Sequence, residues 1–219
     1  MSQDLKATIR AHIESHYPAL YLITHEESDA DTLVRELAED RKIFEWNLAS
    51  GLVNFETKQP LSKWCDLSDA LANLLDQEFS RNIFIIIRDA HLGLRDQPVA
   101  VARLKALITR ILAEHEFSVT IFLVSSRPYI PPELEKFITL FDMPLPDEDM
   151  IRGIICEHVE AYGLEIDDTT LEKLTLAFQG LTRYEIGQLI NRGYQQDGKI
   201  DLDDLDLVHA EKQQIIKKS

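Results

Sequence analysis

The sequence predicts an α/β chain, with a five-stranded, mostly parallel sheet domain followed by a small all-helical domain. Three observations carry that expectation. Short apolar runs alternate with amphipathic stretches through the first two thirds of the chain, which calls for crossover connections and so for parallel pairing. The composition changes at Met143-Pro144-Leu145-Pro146-Asp147, and beyond it only helical periodicity remains. A chain of 219 residues suffices for one large domain or for a medium domain with a small companion.

Each element has its own warrant. Leu5, Ile9 and Ile13 recur at helical spacing and open the chain with an amphipathic helix. Ala19-Leu20-Tyr21-Leu22-Ile23 reads as a buried strand, and Ala30, Leu33, Val34 and Leu37 mark one face of the helix after it. Residues 43–48 form the second strand, the polar stretch through residue 60 reads as a loop, and Leu67, Leu71, Leu74 and Leu75 belong to a second crossover helix. A strand at 83–87, a helix carrying Val101, Leu104, Leu107, Ile108 and Ile111, a strand at 119–124 and a short strand at 138–141 complete the first domain, residues 1–145. Residues 146–219 hold four helical stretches, at 151–162, 171–178, 184–194 and 205–216.

Composition narrows the function. With 45% hydrophobic and 28% charged residues the chain has the make-up of a folded domain, not of a disordered one. A formal net charge of −15 opposes nucleic-acid backbones and anionic lipid surfaces, so neither is an expected partner. Cys65 and Cys156 form no C-x-x-C pair, which points to a reducing compartment, and the cytoplasm is the expected location. The densest apolar run, 83–87, has five residues, too few for a signal-peptide core or a membrane span.

Ligands of parallel sheets gather at the carboxyl ends of the strands. A phosphate-binding loop, G-x-x-x-x-G-K-[ST], belongs after the first strand, where its backbone N–H groups and lysine hold phosphates. The chain instead reads Thr24-His25-Glu26-Glu27-Ser28-Asp29-Ala30-Asp31; no glycine precedes Gly51, and the only earlier lysines are Lys6 and Lys42. Ser28 or Asp29 is expected to cap the helix with Asp31 in its first turn, which is ordinary helix-start chemistry and repels triphosphate. The apolar run 84–87 closes with Arg88-Asp89-Ala90-His91; arginine cannot coordinate a cation, and Asp89 is expected to cap or ion-pair the strand end. His12 and His16 share a helix face and His115 stands between Glu114 and Glu116, yet neither group has a third ligand, so no metal site is expected.

Beyond the fourth strand the chain reads Ser125-Ser126-Arg127-Pro128-Tyr129-Ile130-Pro131-Pro132-Glu133-Leu134-Glu135-Lys136-Phe137, then Met143-Pro144-Leu145-Pro146-Asp147. These residues resemble the AAA+ segment that runs from the sensor-1 strand through the fifth strand to the helical lid. Gly180-Leu181-Thr182-Arg183-Tyr184-Glu185-Ile186 is similar to the opening of that family's sensor-2 helix. With Tyr21-Leu22-Ile23-Thr24-His25-Glu26-Glu27 and residues 211–219, the whole most resembles the degenerate first domain of a two-domain AAA+ ATPase group of cyanobacteria, plastids and other bacteria. The resemblance covers nearly the whole chain and implies a P-loop NTPase-like sheet domain with a lid.

Departures from the active family pattern then decide what the resemblance implies. The Walker B positions for the metal aspartate and the water-orienting glutamate carry Arg88 and Asp89, and the sensor-1 asparagine is replaced by Ser126. No arginine occurs from 128 through 151, where fingers for a neighbouring subunit would lie, and Arg183 stands where many members have glycine. Glu26, Glu27, Ser28, Arg88, Asp89, Ser126 and Arg183 are thus vestigial nucleotide-binding positions, and no residue is catalytic. The domain is expected to need no cofactor, ATP and magnesium being reserved for an attached active ATPase domain in a longer protein. Partners are expected to be that domain, other proteins, or further copies through AAA+-type contacts. Two alternatives stand beside this one. The domain holds nucleotide without hydrolysis, or it is a receiver-like phosphoacceptor built from Glu26, Glu27, Asp89 and Ser126. Against the receiver stand the missing lysine after strand five and Pro131-Pro132, which leave little room for a helix between strands four and five.

Overall fold

A computed structural model of the chain describes residues 3–61, 63–76, 82–114 and 118–218. His115, Glu116 and Ser219 lie outside the described residues. The chain divides between Met143 and Pro144 into two compact units.

The first unit runs α1 (Gln3–Glu14), β1 (Ala19–Ile23), α2 (Glu27–Ala38), β2 (Lys42–Asn47), β3 (Gly51–Asn54), α3 (Leu67–Asp76), β4 (Ile83–Arg88), α4 (Ala90–Leu94), α5 (Pro98–Ala113), β5 (Val119–Ser125) and β6 (Ile138–Asp142). The sheet order is β3-β2-β4-β5-β1-β6. The expected parallel strands are all present, and β3 joins them as an antiparallel edge on β2. The stretch expected as a loop therefore holds a strand. Asn47 Oδ1 accepts a hydrogen bond from Ser50 N at 2.8 Å, and Gly51 turns the chain back at φ +72°. A Cβ at Gly51 would lie 2.9 Å from Cys65 N, so both the turn and the close approach need glycine.

Chain order excludes the receiver-like alternative. In a receiver the first strand lies between the second and third parallel strands. Here β1 lies between β5 and β6, and only a 3₁₀ turn, Pro132–Leu134, rises between those two in sequence.

Every residue of β4 and β5 is buried, as expected of central strands covered on both faces. Tyr21, Ile85, Ile87, Ile121 and Leu123 pack with Leu71, Leu104, Leu107 and Ile108 of α3 and α5. By the two-residue period of a strand, Phe84, Ile86 and Arg88 point to the opposite face. There Phe84 meets Phe122 edge-on at 5.0 Å, and Arg41, just past α2, lies over the Phe84 ring.

The second unit is all-helical: α6 (Glu148–Ala161), α7 (Asp168–Phe178), α8 (Arg183–Asp197) and α9 (Leu205–Lys218). Ile151, Ile155, Leu174, Phe178, Ile186 and Ile190 anchor its core. The starts of α6, α7 and α8 are capped by side chains: Asp147 accepts from Met150 N, Asp167 from Thr169 N and Thr170 N, and Thr182 forms a reciprocal box with Glu185. Each such cap stabilises its helix by about 1 kcal/mol. Among the described residues no helix is long and apolar enough to cross a membrane.

Candidate functional site

The carboxyl ends of β1, β2, β4 and β5 share one edge of the sheet, and the backbone leaving β1 sets the geometry there. Thr24 N donates to Ser125 O at 3.0 Å, and Thr24 Oγ1 accepts from Glu26 N at 2.9 Å. This short turn starts α2 at Glu27, with Glu26 in the N-cap position and making no side-chain cap bond. The cap expected at Ser28 or Asp29 is thereby corrected. Ser28 lies inside the helix, where its carbonyl accepts from Thr32 Oγ1, and Asp31 falls beyond the first turn. Glu27 and Asp31, four residues apart, share one helix face. Both reach Arg88.

Arg88 ends β4 with its side chain 5% exposed. Its Nε donates to Glu45 Oε1 at 2.7 Å and Nη2 to Glu45 Oε2 at 3.2 Å, while Nη1 reaches Glu27 Oε2 at 3.3 Å and Nη2 also binds Asp31. Glu45, in β2, is 1% exposed. Lys58 Nζ donates to Glu45 Oε2 at 2.6 Å, lies 2.9 Å from Asp31 Oδ2 and sits 4.1 Å from the centre of the Phe55 ring. The loop beyond β3 delivers it. Asn54 Oδ1 accepts from Glu56 N and Thr57 N, and Lys58 N, at φ +56°, donates to Asn54 O.

Arg88, Glu45, Lys58 and Asp31 thus close a ring of alternating charge. Burial alone would lower the Arg88 pKa, but the hydrogen bonds and charges of Glu45 and Asp31 outweigh it and hold the pKa above the ordinary arginine value. The guanidinium is permanently charged. The ring lines a cavity of about 370 Å³ together with Glu27, Asn47, Ser50 and Asp89.

Asp89 adopts a left-handed backbone, φ 50° and ψ 35°, and occupies the N-cap position of α4 without a side-chain cap bond. Its carbonyl accepts from Leu92 N and Gly93 N, while its carboxylate makes no ion pair or hydrogen bond with a described residue. The cavity therefore carries four carboxylates, those of Glu27, Asp31, Glu45 and Asp89, against two cations already engaged by them. A phosphate entering it meets uncompensated negative charge, and a metal ion meets a fixed guanidinium. What the ring does well is tie α2, β2, β4 and the 54–58 turn together.

Of the positions marked in the sequence, Glu27, Arg88 and Asp89 are gathered into this cavity. Glu26 and Ser28 stay at the start of α2. Ser126 follows β5, half-buried, and does not line the cavity. Its neighbour Ser125 is the bonded one: Ser125 Oγ lies 2.5 Å from the Tyr21 hydroxyl, which also contacts Arg127 O and Tyr129 N. Arg183 belongs to the helical unit as the first residue of α8, with Nη1 3.6 Å from Glu157 Oε2. Among the described residues no group of three His, Cys, Asp or Glu is placed to hold a metal ion. Sequence reasoning missed Glu45, Lys58 and the inward role of Asp31. A signal existed for Glu45, since an acid set between Phe44 and Trp46 in a covered strand requires a cation.

Residues 5–143 match the family model for the N-terminal domain of SpoVK-like AAA ATPases, and residues 149–219 match that for their second domain. The chain is 25% identical over 226 residues to the "Uncharacterized AAA domain-containing protein ycf46" of Guillardia theta, covering 99% of this chain and 42% of that protein. The protein of the same description from Trieres chinensis is 26% identical over 211 residues, covering 94% and 41%. The chain therefore spans about two fifths of the length of these relatives. The solved FIGL-1 AAA domain in complex with ADP matches with a TM-score of 0.66 over 95% of this chain and 80% of that one, at 12% identity, a likeness of fold.

Proposed function

The chain belongs to the SpoVK-like AAA ATPase family, and from that premise we propose that it is a non-hydrolysing AAA domain serving assembly or regulation through protein contacts, as the amino-terminal part of a longer AAA protein. The observation that carries this reading is the closed ring of Arg88, Glu45, Lys58 and Asp31 at the strand ends. Phosphoryl transfer relies on positioned phosphates, a metal ion and neutralisation of developing charge. The turn from Thr24 to Glu27 has no glycine or lysine for the first, Arg88 stands at the metal-aspartate position, and acids outnumber cations in the cavity. The ring supplies from within the chain the cross-links between α2, β2 and β4 that a bound ligand would otherwise make.

The alternative of nucleotide held without hydrolysis is less well supported, because the same carboxylates oppose its phosphates. The remaining length of the relatives leaves room for an attached ATPase domain, where ATP and magnesium would act. Cys65 and Cys156 are free thiols, in keeping with a reducing cytoplasm. Phosphate release from Mg-ATP tests the reading: no release above the buffer rate is expected from the chain alone, and turnover that persists through rigorous repurification would overturn it.

A further inference from the structure

We propose that the exposed shelf formed by Leu48, Leu61 and Trp64, together with the acid-rich cavity it borders, docks an arginine-bearing apolar segment of a partner protein. The inference rests on the reading of a domain that works through protein contacts, and gives one such contact a place and a chemistry.

The shelf is built on the β2–β3 turn and on the chain that returns past β3. Asn54 N donates to Gln59 O at 2.9 Å and Leu61 N to Leu52 O at 3.0 Å, so residues 59–61 run along the outer edge of β3. Beyond them Trp46 Nε1 donates to Cys65 O and Trp64 Nε1 to Leu48 O, each at 3.1 Å. Both indole N–H groups are bonded, but the two rings end differently. Trp46 is 2% exposed, whereas Trp64 is 57% exposed beside Leu48, and Leu61 on the same stretch of chain is 59% exposed. Single exposed apolar side chains are ordinary; an ordered tryptophan held against a second apolar residue has the composition of a contact surface. The backbone and indole bonds already fix the shelf, so a partner meets it with little ordering cost.

The cavity sets what that partner carries. Leu48 lies inside the 47–50 turn, whose Asn47, Ala49 and Ser50 line the cavity of about 370 Å³ with Glu27 and Asp89. Shelf and cavity are thus neighbours through one turn. Arg88 and Lys58 are engaged by Glu45 and Asp31, which leaves the charges of Glu27 and Asp89 in excess. Glu27 meets Arg88 at 3.3 Å with a side chain 59% exposed, and the Asp89 carboxylate has no ion pair or hydrogen bond with a described residue. Lys63, the cation between Leu61 and Trp64, already has an interaction partner. An incoming cation is therefore attracted and an anion repelled. Arginine suits the place better than lysine, because its guanidinium forks onto a carboxylate, sheds water more readily than an ammonium and stacks on an indole ring. Apolar neighbours of that arginine cover the shelf.

The probe is a pentapeptide of alternating leucine and arginine, blocked at both ends, titrated into the intact chain and followed by the two indole N–H resonances. A net charge of −15 attracts any cationic peptide, so local signals decide. The Trp64 signal is expected to shift saturably, with a Kd of about 1 mM or tighter, while that of Trp46 stays in place. Replacing arginine by citrulline, which keeps the shape without the charge, should weaken binding at least about threefold. Asp89→Asn should weaken the arginine peptide about three- to fivefold and leave the citrulline peptide unchanged. Asparagine tolerates the left-handed backbone at φ 50°, so the fold is kept. Leu61→Ser should weaken both peptides. A Trp64 signal that does not saturate by about 10 mM peptide, equal binding of the citrulline peptide, or indifference to both substitutions would overturn the proposal. A peptide that fails to bind a chain releasing no phosphate refutes only the docking site, whereas binding to a chain that hydrolyses ATP refutes only the non-hydrolysing reading.

Discussion

Replacing Arg88 by methionine keeps much of the apolar stem and removes the guanidinium. Glu45, 1% exposed, then keeps only Lys58, whose side chain is 40% exposed and shared with Asp31. Removing one partner of a buried pair costs roughly 3–5 kcal/mol, since a charge is left buried without compensation. With Lys58 still in reach, the lower end applies, about 3 kcal/mol, against a total stability of about 5–15 kcal/mol for a native domain. Urea unfolding followed by tryptophan fluorescence reads this directly, because Trp46 and Trp64 both belong to the sheet unit. The midpoint should fall by about 1–2 M with an unchanged slope. Adding Glu45→Leu should recover part of the loss, since it removes the stranded charge. The sign of the pH dependence is also fixed. A folded-state pKa raised above the unfolded value leaves the Arg88 contribution fully present below the ordinary arginine range and lost only above it. The native chain should therefore show no loss traceable to Arg88 across neutral pH. A loss under about 1 kcal/mol, or a double variant weaker than the single one, would refute the ring as a buried, mutually dependent network.

Other outcomes follow from single positions. In the helical unit, Gly193→Ala should destabilise by about 1–3 kcal/mol because its Cβ would collide with the Asp204 carboxylate, whereas Gly153→Ala, with nothing within 4 Å of the added Cβ, should stabilise by about 0.5–1 kcal/mol; helical circular dichroism in urea separates them. Burial raises the Tyr21 pKa against the lowering effect of its bonds from Ser125 and Tyr129. Its contribution is thus present below the ordinary tyrosine pKa of about 10 and lost as pH climbs through the folded value, so Tyr21→Phe should lower stability at neutral pH by about 1 kcal/mol and flatten the alkaline limb of the stability curve.

The strands and crossover helices were legible because periodicity reports burial: Leu20 and Leu22 in β1, and Leu33, Val34 and Leu37 in α2, are all buried where the pattern put them. β3 was hidden because Asn47 and Ser50 make a polar turn and only Gly51 and Val53 of the strand are buried. The α2 start was misplaced because Ser28 and Asp29 are good capping types, while the local choice was made by Thr24, whose hydroxyl accepts from Glu26 N. Arg88 stood out as a charge in an apolar run, but its partners did not. Glu45 lies 43 residues away, and Lys58 arrives through a turn that Asn54 shapes. Periodicity carries no information about which distant charges will meet.

Calorimetric titration of the chain with Mg-ATP bears most directly on the occupied strand ends. A ring that already satisfies Arg88 and Lys58, in a cavity with acid in excess, predicts no binding tighter than about 1 mM, for the native chain and for Arg88→Met alike. Saturable binding to the native chain at about 10 µM or tighter would contradict it.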